Sequence, residues 1–251
     1  MNLKAIYDRP TGQYSNLRLN LYSGCSHGCL YCYNKWENRF QGPYDQPTKK
    51  ASLANIQHDL LMLQGARDMR PVLMSVVGDP YDMGRKDNDK PSGLMKYVGS
   101  NDHSDSHTRC VLMLLRSYDH PFLILTKGGM LAAKDFDLYG PNDAFGVTLT
   151  FDNDADSLHW EPGAALPADR IASLKEAHRR NIRTWVSMEP VICPEQTMHL
   201  IEMTYDFVDC FWIGKLNHFP ELEAKIDWPK FRREVEALLQ KCGKQPGTGM
   251  G

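Results

Sequence analysis

Three cysteines crowd into one short stretch, Cys25-Ser-His-Gly-Cys29-Leu-Tyr-Cys32, directly behind a strand-like run carrying Leu17, Leu19 and Leu21. The spacing is C-x3-C-x2-C. Thiolates are the preferred protein ligands of iron–sulfur clusters. A four-iron cubane has four iron corners, and three cysteines leave one of them open. An open coordination position marks a metal site that performs chemistry, as opposed to one that only braces a fold. Such a corner can chelate the amino and carboxylate groups of a small ligand. The competing assignment is a zinc knuckle, or cysteines that merely pack together. Zinc sites usually draw a fourth ligand from a second Cys or His pair, and no second C-x2-C exists here. His27 can complete such a site, although it sits inside the loop itself.

The remaining cysteines, Cys110, Cys193, Cys210 and Cys242, are scattered, and the total of seven is odd. That pattern is no disulfide framework and suits a reducing, cytoplasmic compartment. With 29 basic against 31 acidic residues the net charge is −2, so no global basic field draws the chain toward nucleic acid. No apolar run approaches the roughly 20 residues of a membrane span. The N-terminal Met-Asn-Leu-Lys-Ala lacks the apolar stretch of a signal peptide. The expectation is a cytoplasmic chain with no membrane partner.

At 251 residues the chain suits one large domain or two small ones, and α/β barrels of this size are common. Strand-like runs at 17–22, 71–77, 122–126, 145–151, 182–188 and 207–214 alternate with helix-like runs at 52–64, 108–118, 130–138, 167–180, 195–205 and 229–242. Alternation of this kind argues for parallel β/α units. Ser52 reads as an N-cap, and Leu53, Ile56, Leu60 and Leu63 form one apolar stripe behind it. An acidic loop over 152–156 is expected before Trp160-Glu161-Pro162. Six units are too few for a closed eight-stranded barrel. The expected fold class is therefore α/β, a partial (β/α)6 barrel of TIM type with the cysteine loop after its first strand. The expected organisation is a barrel core over 1–228, then a terminal helix and frayed tail over 229–251. Residues 84–107, rich in Asp, Lys, Ser, Gly and His, read as an insertion loop. Within it Asp102, His103, Asp105 and His107 suggest either a metal site or a solvated polar loop, and composition favours the loop.

In barrels of this kind chemistry gathers where the C-terminal ends of the strands meet the loops. Polar residues do accumulate there: the cysteine loop, then Asp79, Lys127, Thr148 and Thr150, Glu189, and finally Lys215 and Asn217. The order of these motifs carries a resemblance. C-x3-C-x-aromatic-C with Tyr31 as the aromatic, Asp79-Pro-Tyr81, Thr126-Lys127, Val-Thr-Leu-Thr150, Glu161-Pro162, Arg170 and Met188-Glu189-Pro190 follow one another over most of 17–217. The chain resembles the radical S-adenosylmethionine (SAM) family that includes spore photoproduct lyase and its photolyase-like relatives.

That resemblance implies a [4Fe-4S] cluster on Cys25, Cys29 and Cys32 at the mouth of the barrel, with SAM chelating the open iron. One electron, from a donor such as flavodoxin or ferredoxin, would yield methionine and a 5′-deoxyadenosyl radical that abstracts hydrogen from a substrate. The protein's part is binding, orientation and shielding. Lys127 is the expected cation near the SAM carboxylate. Thr148 and Thr150 share a strand face, and one hydroxyl either binds the ribose or simply fills the strand. Asp79 either accepts from the SAM amino group or caps the turn before Pro80. Tyr31 is expected to pack against the adenine, with Tyr33 near the same pocket. Glu189 either faces the adenine or ribose, or pairs with an arginine such as Arg183.

Spore photoproduct lyase uses a cysteine near the end of its second strand to return hydrogen to its product. The corresponding stretch here, Met74-Ser-Val-Val-Gly78, has none. Cys193, after the fifth strand, is the candidate hydrogen donor, with buried packing as the alternative. His159 and Trp160 are candidates for the mouth. The substrate stays open among a nucleic-acid lesion, a modified base and a small metabolite. Lys175, Arg179, Arg180 and Arg183 offer a modest basic footprint or a solvated helix face. The competing function is a non-enzymatic iron–sulfur or zinc-binding sensor or interaction protein.

Overall fold

The computed structural model describes residues 2–9, 14–36, 44–74, 76–82, 106–216 and 218–244. Six strands run parallel and lie side by side in chain order: β2 (Leu17–Leu19), β5 (Val72–Met74), β6 (Phe122–Thr126), β7 (Ala144–Thr148), β8 (Arg183–Met188) and β9 (Cys210–Ile213). The short β1 (Ile6–Asp8) pairs antiparallel on the outer edge of β2. The expected partial (β/α)6 barrel is the fold observed. No helix among the described residues is long and apolar enough to cross a membrane.

Strand side chains alternate between two faces, and here each face has its own core. Outward residues such as Phe122, Ile124, Phe145, Val147, Val186 and Met188 pack under the helices. These include α2 (Leu53–Gly65), α3 (His107–Ser117), α5 (Pro167–Arg179) and α6 (Pro194–Thr204). The α2 stripe of Leu53, Ile56, Leu60 and Leu63 is buried, and Ser52 Oγ accepts from Asn55 N as the N-cap. Phe231, Val235 and Leu239 of the last helix, α8 (Trp228–Lys241), join this same core.

Inward residues Leu73, Leu123, Leu125, Ala144, Trp185 and Trp212 form a separate inner cluster. Trp185 lies across Gly146, where a Cβ would meet the indole at 2.3 Å. Tyr14 packs against Trp185 and Trp212 at ring-centroid distances of 5.0 and 4.9 Å. The aromatic plug fills one end of the barrel interior and leaves open space toward the C-terminal strand ends.

The structure corrects several expected boundaries. The run over 17–22 is two strands: β2, then β3 (Tyr22–Ser23), which pairs with β4 (Thr48–Lys49) in a separate small sheet. Asn20 lies at the break, its Oδ1 accepting from Val76 N and Val77 N at 2.9 and 3.0 Å. The fourth parallel strand ends at Thr148, which leaves Thr150 beyond it. The expected acidic loop is mostly helix, α4 (Asp154–Trp160), because Asn153 caps it by accepting from Asp156 N. The expected helix over 130–138 is a 3-10 helix, Gly129–Leu138. His107 is no loop residue; it is buried at the start of α3, behind the N-cap Ser106. Asp102, His103, Asp105 and Asn217, most of the 84–107 insertion and the tail beyond 244 lie outside the described residues.

The β1 edge is held by one buried carboxylate. Asp59 of α2 accepts from the backbone N–H of Lys4, Ala5 and Ile6 at 2.6–3.0 Å, and His58 Nδ1 lies 3.0 Å away. Burial opposes the charge, but the Ala5 N–H, His58 and the other two N–H donors outweigh it and hold the carboxyl pKa below its ordinary value. Hydrogen bonds to charged groups contribute about 1.5–3 kcal/mol, and orphaned donors add their own penalty. Asp59→Ala is therefore expected to lose about 2–4 kcal/mol, read as a lower urea midpoint. The carboxylate's contribution is present above its unfolded-state pKa and is lost as pH falls through the lower folded value. The midpoint gap between wild type and Asp59→Asn should thus be full at neutral pH and close on acidification.

Candidate cluster and cofactor site

The cysteine loop is gripped from two sides. Gly24 opens it at φ +89, a conformation that favours glycine, and a Cβ there would meet Tyr44 O at 2.6 Å. Cys25 N donates to that same carbonyl at 2.7 Å. On the other side Leu30 N donates to Trp160 O, and Gly163 N to His27 O, both at 2.8 Å. A Cβ on Gly163 would sit 2.4 Å from Ser26 O, so the segment after α4 lies flush on the loop.

None of the three loop thiols is in a disulfide, and all three line one cavity of about 420 Å³. Asp79, Lys127, Thr148, Glu189 and Lys215, each from a different strand end, line it too. So do Tyr31, Tyr33, Ser187 and, toward the plugged end, Tyr14 and Arg18. Burial pushes the Cys29 thiol up to about 11, with Lys127 offsetting part of the effect and Glu161 adding to it. Burial, then Asp79 and Asp82, push Cys25 well above the ordinary thiol range. Both thiols must lose protons to ligate metal, so loading couples to proton release. Three thiols facing one cavity, none of them in a disulfide, fit a three-cysteine iron–sulfur cluster, with polar strand ends beside it for a second group.

Tyr31 is buried, and its hydroxyl donates to Glu161 and lies 3.4 Å from Thr150 Oγ1. Glu161 in turn accepts from Arg170 Nη2 at 2.6 Å. Arg170 is 1% exposed, and its other donors go to Ala165 O and Thr148 O at 2.7 and 2.9 Å. Burial pushes the Glu161 carboxyl up, but Arg170 and Lys127 more than reverse this and keep it ionised. Lys127 Nζ stands 5.5 Å from the Tyr31 ring centroid. Burial disfavours its charge, yet Cys29 and Glu161 outweigh that and hold its pKa above the ordinary lysine value.

Asp79 works as a clamp between strand ends. It accepts from Thr126 Oγ1 at 2.6 Å, Lys127 N at 2.8 Å and Tyr81 N at 2.7 Å. The turn-capping alternative is thus realised, and the carboxylate still borders the cavity. Thr148 and Thr150 part company: Thr148 faces the cavity, whereas Thr150 supports Tyr31 from behind. Tyr33 donates to Val76 O at 3.0 Å, and burial followed by Cys32 pushes its pKa up to about 12. Glu189 faces the cavity and packs over Gly214, where a Cβ would meet its Oε1 at 2.1 Å. A Glu189–Arg183 pair is ruled out, because Arg183 begins β8 and Glu189 follows its other end, about 20 Å away at 3.3 Å per residue.

Cys193 is not brought into the cavity. It occupies the N-cap position of α6, and its Sγ donates to Glu195 Oε2 at 3.3 Å. Trp160 stacks on Phe151 with His159 edge-on, and neither lines the cavity. The basic footprint is largely used internally: Arg179 and Arg180 both pair with Glu176, and Lys175 lies over the Phe207 ring. Sequence reasoning missed Asp82, Ser187, Tyr14, Arg18 and Tyr44. Asp82 follows Asp79 by three residues and Ser187 precedes Glu189 by two, so both had a positional signal. Tyr14 reaches the cavity through long-range contacts: packing on Trp185 and Trp212 and a 2.9 Å hydrogen bond between its hydroxyl and Ser187 Oγ.

The model of the Radical SAM superfamily matches residues 19–208. An uncharacterised protein of Methanocaldococcus jannaschii is 24% identical over 204 residues, covering 79% of this chain and 70% of that one. Spore photoproduct lyase, solved with bound AdoMet and dinucleoside spore photoproduct, shares the fold at a TM-score of 0.66 and 12% identity. That match covers 96% of this chain and 76% of the lyase. SuiB of Streptococcus suis bound to S-adenosylmethionine matches at a TM-score of 0.59 and 11% identity over 92% of this chain. The chain spans only 45% of the SuiB chain. A cysteine loop at the mouth of a six-stranded partial barrel, and a family match over most of the chain, lead to one assignment: the protein belongs to the radical SAM superfamily, whose enzymes use a [4Fe-4S] cluster and S-adenosylmethionine.

Proposed function

We propose that this radical SAM enzyme holds its cluster on Cys25, Cys29 and Cys32 and cleaves SAM reductively to start hydrogen abstraction from a substrate. The observation that carries this reading is the shared cavity: the three thiols and polar residues from five strand ends face the same space. The cofactors supply the radical chemistry, and the chain's residues bind, orient and exclude water. Lys127, held cationic by Cys29 and Glu161, is suited to a carboxylate. Thr148 offers a hydroxyl, and Glu189 an acceptor, on the wall formed by β7 and β8. Asp79 positions Lys127 through its backbone, while Glu161 and Arg170 hold Tyr31 behind the loop. The electron comes from an external donor of the flavodoxin or ferredoxin class, in a reducing cytoplasmic setting.

The substrate is a nucleic-acid lesion, a modified base or a small metabolite. One structural neighbour carries a dinucleoside photoproduct and another a precursor peptide, so the shared fold does not choose among substrates. Internal pairing of the α5 arginines and the near-zero net charge favour a small or single-residue target over a duplex, which normally meets an electrostatic footprint. Cys193, outside the cavity, receives no role in hydrogen return.

Anaerobic reconstitution should load about four irons and four sulfides per chain, the content of a cubane cluster. Added SAM and a strong reductant should then release 5′-deoxyadenosine. Cys29→Ala should load no cluster and stay at background; equal yields from the two proteins would sink the proposal. On the cluster-loaded chain, Lys127→Ala should weaken SAM binding about tenfold or more, given about 1.5–3 kcal/mol for a charged hydrogen bond. Thr148→Val should cost less, in line with about 0.5–1.5 kcal/mol for a neutral one. Anaerobic equilibrium dialysis reads both.

A further inference from the structure

The cysteine loop also takes part in a second donor set, which shares Cys25 with the cluster and adds His27 and Asp82. One ligand atom each from Cys25, His27 and Asp82 lies within 4.8 Å of the other two. The three offer sulfur, nitrogen and oxygen, all of which zinc takes at about 2.0–2.3 Å in a tetrahedron. Neighbouring ligands of such a tetrahedron stand roughly 3.3–3.8 Å apart. The observed spacing therefore needs a contraction of only about 1 Å, within reach of side-chain rotation.

A second observation points to a ligand. His27 is 1% exposed, yet its Nε2 has no hydrogen-bond partner among the described residues. Leaving a buried polar atom unsatisfied costs about 1–3 kcal/mol, so the arrangement calls for an occupant. With Nε2 taken as the ligand atom, the opposite ring nitrogen, Nδ1, stands 3.6 Å from Asp79 Oδ2. A carboxylate hydrogen-bonded to the far nitrogen is the usual outer support of a metal-binding imidazole, and a shift of about 0.5 Å would bring Asp79 into that role. Asp82 is equally well placed. Its oxygens accept from Ser26 N at 2.6 Å and interact with Ser26 Oγ, and carboxylate oxygens keep further lone pairs for a cation.

We propose that Cys25, His27 and Asp82 form a site for a single zinc-like divalent cation, distinct from the cluster but sharing Cys25 with it. The two metal states are mutually exclusive, because one thiolate serves both. Three protein ligands leave the fourth position to water. The cation staples the cysteine loop to the segment after β5 when no cluster is present. Only the exclusivity rests on the cluster reading; the cation site stands on its own residues.

The test uses the full-length chain prepared free of iron and sulfide, titrated anaerobically with cobalt(II) and then with zinc as competitor. One cobalt per chain should bind with a thiolate charge-transfer band and tetrahedral ligand-field bands, and zinc should displace it. His27→Ala and Asp82→Asn should each weaken cobalt binding by more than the about 10- to 100-fold typical of losing an outer partner. Asp82→Asn keeps an acceptor for Ser26 N, and circular dichroism confirms that each variant is folded. Cys29→Ala and Cys32→Ala should bind cobalt as wild type does. Loss of binding in those two variants but not in His27→Ala would put the cation on the three thiols and overturn the proposal. Failure of the folded wild type to bind cobalt would overturn it equally. Uptake of cobalt by cluster-loaded protein would refute exclusivity, whereas normal cobalt binding in a chain that never assembles a cluster would refute the cluster reading alone.

Discussion

A buried ion pair, Glu161 with Arg170, is the joint on which the site hangs. Taking two charges out of water costs several kcal/mol per ion, and Coulomb attraction offsets this only when the remaining hydrogen-bonding groups are satisfied. Here they are: Arg170 also donates to Ala165 O and Thr148 O, and Glu161 also accepts from Tyr31. Each bond reaches a different part of the site. Thr148 is the end of β7, Ala165 follows the segment that covers the cysteine loop, and Tyr31 lies within that loop. Losing one partner of such a pair costs about 3–5 kcal/mol, because it leaves the other charge buried and unanswered. Net stability gained over an apolar pair is small by the same reasoning. What the pair contributes is one fixed spacing between loop and barrel.

A partial barrel has to solve a positional problem that a closed one does not, since its first and last strands have no shared ladder to align them. Side-chain clips do part of that work. Asn20 takes two N–H groups just past β5, and Asp79 joins that same exit to the end of β6. Meanwhile Trp185 over Gly146, capped by Tyr14, fills the other end of the interior. Open volume is thereby restricted to the end where the polar residues stand. Groups held this way are placed before any ligand arrives, which spares the binding step the entropy of ordering them.

The features legible in the sequence were those encoded locally. C-x3-C-x2-C is a contiguous signal, the helix stripes have a 3.6-residue period, and polar residues stop apolar runs at strand ends. Six parallel units and the cavity-lining set of Asp79, Lys127, Thr148 and Glu189 followed from these. The misplacements share a different cause. The first strand splits because Asn20 bonds to Val76 and Val77, more than fifty residues away. Glu189 and Arg183 look like neighbours in sequence, yet a strand six residues long sets them at opposite ends. Cys193 lies after the right strand but starts a helix, whose N-cap geometry turns the thiol to Glu195. Asp152–Asp156 reads as a loop until Asn153 is seen to cap it. Asp59 falls at helical spacing on the buried stripe, but its partners are backbone donors of an edge strand more than fifty residues away, which no local pattern encodes.

Charge around the cysteine loop is distributed unevenly, and this bears on what the cavity can hold. The Cys25 side carries Asp79 and Asp82, which add to burial in disfavouring a thiolate there. The Cys29 side carries Lys127 and Arg170, which oppose the burial effect, with Glu161 adding to it. At an effective dielectric of about 20, two unit charges 4 Å apart interact by about 4 kcal/mol. A difference of one charge between the two sides is therefore large compared with the free energy of most single contacts. A ligand that is itself dipolar, with a carboxylate and an ammonium a few bonds apart, lowers its energy in one orientation and raises it in the other. A cation gains at the acidic side and a simple anion at the basic side, but only a zwitterion uses both. The same asymmetry explains how one short loop can serve two metals: the acidic half, with His27, suits a bare divalent ion, and the full set of thiols suits a cluster whose own charge is spread over four irons.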